Sequence, residues 1–223
     1  MSASSLGPGA RTRVRRQAQK ARYDEVVINE ILDEARFCHV AAVVNERPVA
    51  LPTLLAREDR TLYLHGSPTN EVLKAVVRHH EAYVTATVFD GLRLARSGFE
   101  SSIAYRSAVV VGRASEVVEA AQKRHALDLF VDRVVAGRAR EVRPATEREL
   151  RLTMVVAVAI DEASAKVSSG PTDDGPEDQA LPIWAGTVPA RLVFSPPRPD
   201  TNGAMASGHV STPESVRRLL DEQ

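Results

Sequence analysis

The chain of 223 residues reads as a mainly β, α+β fold, an antiparallel sheet with helices set between its hairpins. Three observations predict it. About seven or eight short apolar runs alternate with clusters of turn residues. Neighbouring runs are joined by short polar turns, which makes them antiparallel. Helical periodicity appears only between such pairs. Hairpin-linked strands in this number close into a barrel or a sandwich. The length favours one domain with tails: an arm at 1–22, a body at 23–194 and a flexible tail at 195–223.

Residues 1–22 are rich in Ser, Gly and Pro and then in Arg, with Arg11, Arg13, Arg15, Arg16, Lys20 and Arg22 but no apolar period. Such a segment is expected as a disordered or loosely docked arm. Asp24 opens a helix whose Val27, Ile28, Ile31 and Leu32 share one stripe. Residues 37–44 and 48–56 form a hairpin across Asn45-Glu46-Arg47, and Pro52 marks an edge or a bulge in its second strand. Residues 60–65 make the third strand. Ser67 is expected to cap the next helix, with Pro68 in its first turn and Val72, Leu73, Val76 and Val77 as its apolar stripe. Residues 82–89 and 92–96 read as a hairpin about Asp90-Gly91.

A long strand follows at 103–118, then an amphipathic helix at 120–135. Thr146-Glu147-Arg148-Glu149 has the order of a capping box and starts a short helix. Strands at 154–160 and 163–168 lead to an acidic loop at 170–180 and a last apolar segment at 181–194 that holds Trp184. A short helix fits 215–220.

Composition narrows the function. The 29 basic and 29 acidic residues balance, so no long-range field draws the chain to nucleic acid or membrane. The basic arm could touch nucleic acid, but no aromatics interleave with its charges and the body shows no basic signature. No apolar run approaches the ~20 residues of a bilayer span. The start lacks the apolar stretch of a secretory leader, so a cytoplasmic protein is expected. Cys38, the single cysteine, excludes an intrachain disulfide and a cysteine metal cluster, and its apolar setting predicts a buried, inert thiol. The six histidines, His39, His65, His79, His80, His125 and His209, show no metal spacing. Gly-rich dinucleotide loops, Walker loops and zinc-protease patterns are absent.

Four features remain as candidate chemistry. At His65-Gly66-Ser67 a strand ends, a glycine permits close approach, and a helix N-terminus begins. That spacing fits an ordinary capped turn first and a phosphate loop second. Arg96-Ser97 and Arg106-Ser107 end or interrupt apolar strands, where a guanidinium serves either a bidentate anion contact or a surface ion pair. Lys166 lies among small residues, as an edge-strand gatekeeper or as a cation aimed at a ligand. Trp184 suits burial or the lining of an aromatic ligand.

Taken in order, Phe37-Cys38-His39-Val40-Ala41, Pro52-Thr53-Leu54, Leu62-Tyr63-Leu64-His65-Gly66-Ser67, Asp90-Gly91-Leu92-Arg93-Leu94-Ala95-Arg96-Ser97, Tyr105-Arg106-Ser107, Glu162-Ala163-Ser164-Ala165-Lys166 and Leu181-Pro182-Ile183-Trp184-Ala185-Gly186 resemble the pyridoxamine 5′-phosphate oxidase-like flavin-binding split-barrel proteins, in the branch related to nitroimidazole-resistance proteins. The resemblance covers about residues 24–190. It implies a six-stranded antiparallel split barrel, a homodimer, and FMN at the interface between copies. It implies cofactor contacts from Thr53 and Leu54 along the ring. His65, Gly66, Ser67, Asn70 and Lys74 would lie near the ribityl and phosphate end. Arg96, Ser97, Tyr105, Arg106, Ser107, Lys166 and Trp184 would complete the site. His65 is the implied active-site group.

Asn70-Glu71 stand where members often carry a basic residue, and Ala104 where Asn often precedes Tyr-Arg-Ser. A carboxylate close to a phosphate dianion costs more than ~1 kcal/mol. The expected function is an FMN-dependent oxidoreductase acting on a small molecule. The alternative is a binding protein on the same fold for another ligand, haem or a deazaflavin.

Overall fold

A computed structural model describes residues 9–202 and 211–221, so His209 and the outermost parts of the expected arm and tail lie outside the described residues. The chain divides into two compact units. One is Met1–Val117 with Thr153–Arg191, and the other is Val118–Leu152 with Leu192–Gln223. The strands are β1 (Ala21–Arg22), β2 (Cys38–Val44), β3 (Arg47–Thr53), β4 (Leu55–Glu58), β5 (Thr61–Gly66), β6 (Glu81–Leu94), β7 (Ser102–Glu116), β8 (Met154–Ala159), β9 (Glu162–Ser168) and β10 (Gly186–Pro189), all in the first unit. The helices are α1 (Glu25–Glu34), α2 (Glu71–His79), α3 (Ala120–Val134), α4 (Glu147–Arg151), α5 (Pro176–Gln179) and α6 (Glu214–Asp221), of which α3, α4 and α6 belong to the second unit.

The sheet is antiparallel and runs β3-β2-β6-β7-β8-β5-β4, with β9 and β10 attached to β7 and β6 and with β1 on β9. Its two end strands, β3 and β4, are consecutive in the chain and separated by Leu54 alone. The sheet therefore curls without closing, and the split falls at that residue. Pro52, which has no N–H to donate, sits in the edge strand β3 as its chemistry demands. The resemblance led us to expect six strands. The split barrel is as expected, and among the described residues its sheet counts ten strands, because short strands such as β1, β4 and β10 attach at its margins.

Strand β7 serves both halves of the barrel. It pairs with β9 as far as Val111 and with β8 from Ala114 onward. Gly112 lies at the change of partner, and a Cβ there would stand 1.6 Å from the Ala159 carbonyl oxygen, so only glycine fits. The hydrophobic core joins Ile28, Ile31 and Leu32 of α1 and Leu73 and Val76 of α2 to buried residues of the strands. Cys38 is among them, and burial pushes its thiol up to about 12.

The hairpin expected at Asp90-Gly91 is not formed. β6 runs straight through these residues, and its register with β7 shifts there, leaving Asp90 as a bulge. Asp-Gly suits a bulge as well as a turn, and the apolar alternation on both sides belongs to one strand. Gly91, at φ +144°, lets β10 pass close by, since a Cβ would meet the Val188 carbonyl oxygen at 2.3 Å. The apolar segment at 181–194 supplies only that short β10.

In the segment expected as a disordered or loosely docked arm, several of residues 9–22 contact the barrel. Ala21 and Arg22 pair with Lys166 and Ala165, and Arg11 binds both Glu81 and Glu162. In the second unit, Glu119 caps α3 and the Thr146/Glu149 capping box forms as expected. There Ser215 at the start of α6 donates to Glu141.

Candidate functional site

The implied site residues fall into three groups. The first surrounds the end of β5. Leu55 pairs with Leu64, which brings the Thr53–Leu54 corner to the end of β5 that carries His65. Gly66 follows, with Asn70 and Leu73 so near that a Cβ would press on both. The helix cap is not Ser67. Asn70 Oδ1 accepts from the N–H groups of Val72 and Leu73 at 3.0 and 3.2 Å, and α2 starts at Glu71. Ser67 instead closes a small turn with Thr69. Both residues can cap, and Asn70 wins because its side chain reaches the second and third helical N–H together. Lys74 pairs with Glu71 at 2.9 Å, so the carboxylate that departs from the family pattern is neutralised within its own helix turn. Burial pushes the His65 imidazole below its ordinary value, which keeps it neutral at pH 7.

The second group holds the arginines. Arg106 is gripped by two carboxylates, Asp90 at 2.7 and 2.9 Å and Glu34 at 2.6 and 2.8 Å. These ion pairs hold its guanidinium firmly charged. Arg96 bonds through its backbone N–H and its guanidinium to the buried Asp174, at 2.8 and 3.1 Å. Ser97 accepts from the Glu100 N–H in the adjoining turn. A cavity of about 470 Å³ is lined by Asp90, Arg96, Ala104 and Thr187.

The third group lies on the open face of the sheet. Registers place Thr87, Ser107 and Lys166 in one row across β6, β7 and β9. Phe89 and Tyr105 form the row on one side of it, and Thr85 and Val109 the row on the other. Directly paired residues share a face, so these side chains form one surface. Its apolar members are bare: Phe89 is 50% exposed and Tyr83, further along β6, 42%. Lys166 has no ion-pair partner among the described residues, unlike Arg96, Arg106 and Lys74. Trp184, which could have been buried, is 66% exposed and lies against Gly186 at the start of β10.

The structure thus brings Tyr105, Ser107 and Lys166 to one face, gathers Thr53, Leu54, His65, Gly66, Ser67, Asn70 and Lys74 at another place, and ties Arg96 and Arg106 to carboxylates. The sequence reading missed Thr87 and Phe89, whose strict alternation with Ala86 and Val88 in β6 could have revealed them. It also missed the partners Glu34, Asp90 and Asp174. Among the described residues no group of three or more His, Cys, Asp or Glu could hold a metal ion, and no helix is long and apolar enough to cross a membrane.

An antiparallel split barrel with an open, partly apolar face is the framework of the flavin-binding barrel proteins. The family model described as pyridoxamine 5'-phosphate oxidase matches residues 24–167, and the chain belongs to that family. Among solved structures it is similar to the flavocytochrome Anf3 from Azotobacter vinelandii, with 36% identity over 95% of this chain and 97% of that one and a TM-score of 0.88. It is also similar to the FAD and heme binding protein from Mycobacterium smegmatis, with 36% identity over 90% and 97% and a TM-score of 0.83. A candidate 5-nitroimidazole antibiotic resistance protein from Bacteroides thetaiotaomicron shares the fold at 24% identity, 66% and 86% coverage and a TM-score of 0.57. No curated protein matches the chain.

Proposed function

We propose that this chain is a flavin-dependent oxidoreductase that works as a homodimer, takes FAD in preference to the FMN expected from its sequence, and carries haem as a second group. The observation that carries the flavin reading is the open face with Thr87, Ser107 and the unpaired Lys166 in one row beside Phe89 and Tyr105. A flavin offers an aromatic plane to such side chains and a polar edge to such donors. A homodimer would cover this face and bring it to the His65 corner of the second copy. Neutral His65 would then act there as a hydrogen-bond donor or acceptor without adding charge. A bound flavin supplies one- and two-electron transfer, and the protein positions its ring and tunes it through these contacts.

The preference for FAD rests on charge. FMN ends in a phosphate monoester carrying about two negative charges at neutral pH. FAD has no terminal dianion, since its diphosphate spreads the charge over two phosphorus centres. Of the cations implied for a phosphate, Arg96, Arg106 and Lys74 are already held by carboxylates. Asn70 occupies two N–H groups of α2. The two relatives at 36% identity, one described as a flavocytochrome and one as binding FAD and heme, support both the flavin and the haem. The single buried cysteine suits a reducing, cytoplasmic compartment.

The test is an absorbance spectrum of the purified protein, followed by chromatography of the released flavin. Flavin absorbance near ~450 nm with FAD as the released species, and a Soret band after haem is added, are expected. Release of FMN would overturn the preference for FAD, and a deazaflavin would move the chemistry to another cofactor. Protein that stays colourless with FAD and FMN supplied would end the flavin reading.

A further inference from the structure

We infer that the groove between the β2–β3 hairpin and the C-terminal end of α2 is a haem seat, with His79 as the iron ligand. The inference rests on the haem reading above and gives it a place at the margin of the open face, with Tyr83 common to both. The groove has a volume of about 720 Å³, in the range of small-molecule and cofactor sites. Val43, Pro48, Val49 and Ala50 of the hairpin and Ala75 and Val76 of α2 supply apolar walls. Val43 and Val49 are exposed, so the walls are unsatisfied as they stand.

His79 is the polar group best placed among them. It follows Ala75 and Val76 by four and three residues, which puts the three on one helix stripe. Imidazole is a proper haem ligand, and the porphyrin brings the other four nitrogens, so no cluster of protein ligands is needed. The charges also agree. His79 is the last residue of α2, where the helix end is electronegative and favours the cationic iron(III) centre. Glu81, which also lines the groove, is already paired with Arg11. Haem carries two propionates. Arg47 and Arg78 adjoin the lining residues Pro48 and His79 in the chain, and neither has an ion-pair partner among the described residues. His80 is the less suitable neighbour, because its left-handed backbone at φ 52° turns the chain out of the helix stripe.

The test titrates haemin into the full-length protein and into His79→Ala, His80→Ala and His65→Ala, read by the Soret band and by electron paramagnetic resonance. Circular dichroism checks that each variant is folded. Wild type is expected to bind one haem, and His80→Ala and His65→Ala are expected to keep its iron-ligand signature in the electron paramagnetic resonance spectrum, whatever their affinity. His79→Ala should bind at least about tenfold more weakly with an altered spectrum. His79→Gly should regain the wild-type spectrum when free imidazole is added, which a merely structural role would not produce. If wild type takes no haem, the haem reading and this site fall together. If wild type takes haem and His79→Ala matches it in affinity and spectrum, this site alone is overturned. Loss of the iron-ligand signature in His65→Ala or His80→Ala with His79→Ala unchanged also overturns it.

Discussion

At the scale of single residues, burial decides what His65 can do. Its pKa is lowered in the folded chain, while in the unfolded chain it returns to about 6.5. As pH falls through that region, the unfolded state takes up a proton that the folded state resists. The stability that neutral His65 allows is therefore full above the ordinary histidine range and is lost as pH falls towards the lowered value. Urea unfolding at pH 7.5 and at pH 5.5 should show wild type losing more stability than His65→Gln, and equal losses would refute the assignment. This residue was legible in the sequence as a strand-end histidine before Gly-Ser, but its desolvation was not. That depends on strand β8 lying alongside, with Val155 opposite His65, and the two are far apart in the chain. Arg106 shows the same limit more sharply. Its position was legible, while its partner Glu34 lies 72 residues away, so an arginine suited to an anionic ligand could not be told from one already satisfied.

At the scale of elements, local rules worked where one signal stood alone and failed where two competed. The Thr146/Glu149 box had no rival and formed as read. Ser67, followed by Pro68, reads as the cap in the sequence, and the cap is Asn70, three residues further on. The geometry now separates them by energy. Asn70→Ala removes the acceptor of two helix N–H groups and should cost about 1 kcal/mol, within a range of roughly 0.5–2. Ser67→Ala should cost clearly less, because it loses only the turn with Thr69. Chemical denaturation of the two variants decides, and equal destabilisation would return the cap to Ser67. The Asp90-Gly91 pair is the second case. A turn and a bulge ask for the same residues, and only the ladder with β7, which continues past both, distinguishes them.

At the scale of the molecule, the alternation that hides Ala82, Val84 and Ala86 also leaves Tyr83, Thr85 and Thr87 facing outward. An inner face of small apolar residues was easy to anticipate. A partly apolar outer face is legible only when the whole sheet is assembled, because its members come from three strands. Val109 lies on that face beside Thr85 and away from the barrel core. In the proposed homodimer, Val109→Glu places a charge in the contact between copies without touching the core. Light scattering should show wild type as a dimer and the variant shifted to monomer, with flavin lost in step. A wild-type monomer that retains flavin would refute the dimer while leaving the cofactor in place. The division of the chain was the least legible feature, since the second unit gathers residues 118–152 and 192–223 from both sides of the sheet's last strands.

The contact of Arg11 with Glu162 joins residues 151 positions apart, and it holds the strand β1 on the margin of β9. Contacts of such separation carry a large closure entropy and form late in folding. This clasp is therefore expected to be the first part of the first unit to open and the last to shut. Because it rests on exposed charges, its hold weakens as the Debye length shrinks from about 10 Å at 0.1 M salt to about 3 Å at 1 M. Hydrogen exchange should show the amides of Ala21 and Arg22 speeding up with salt while Val110 in β7 stays protected. An unchanged ratio would mean that backbone pairing alone keeps the segment in place.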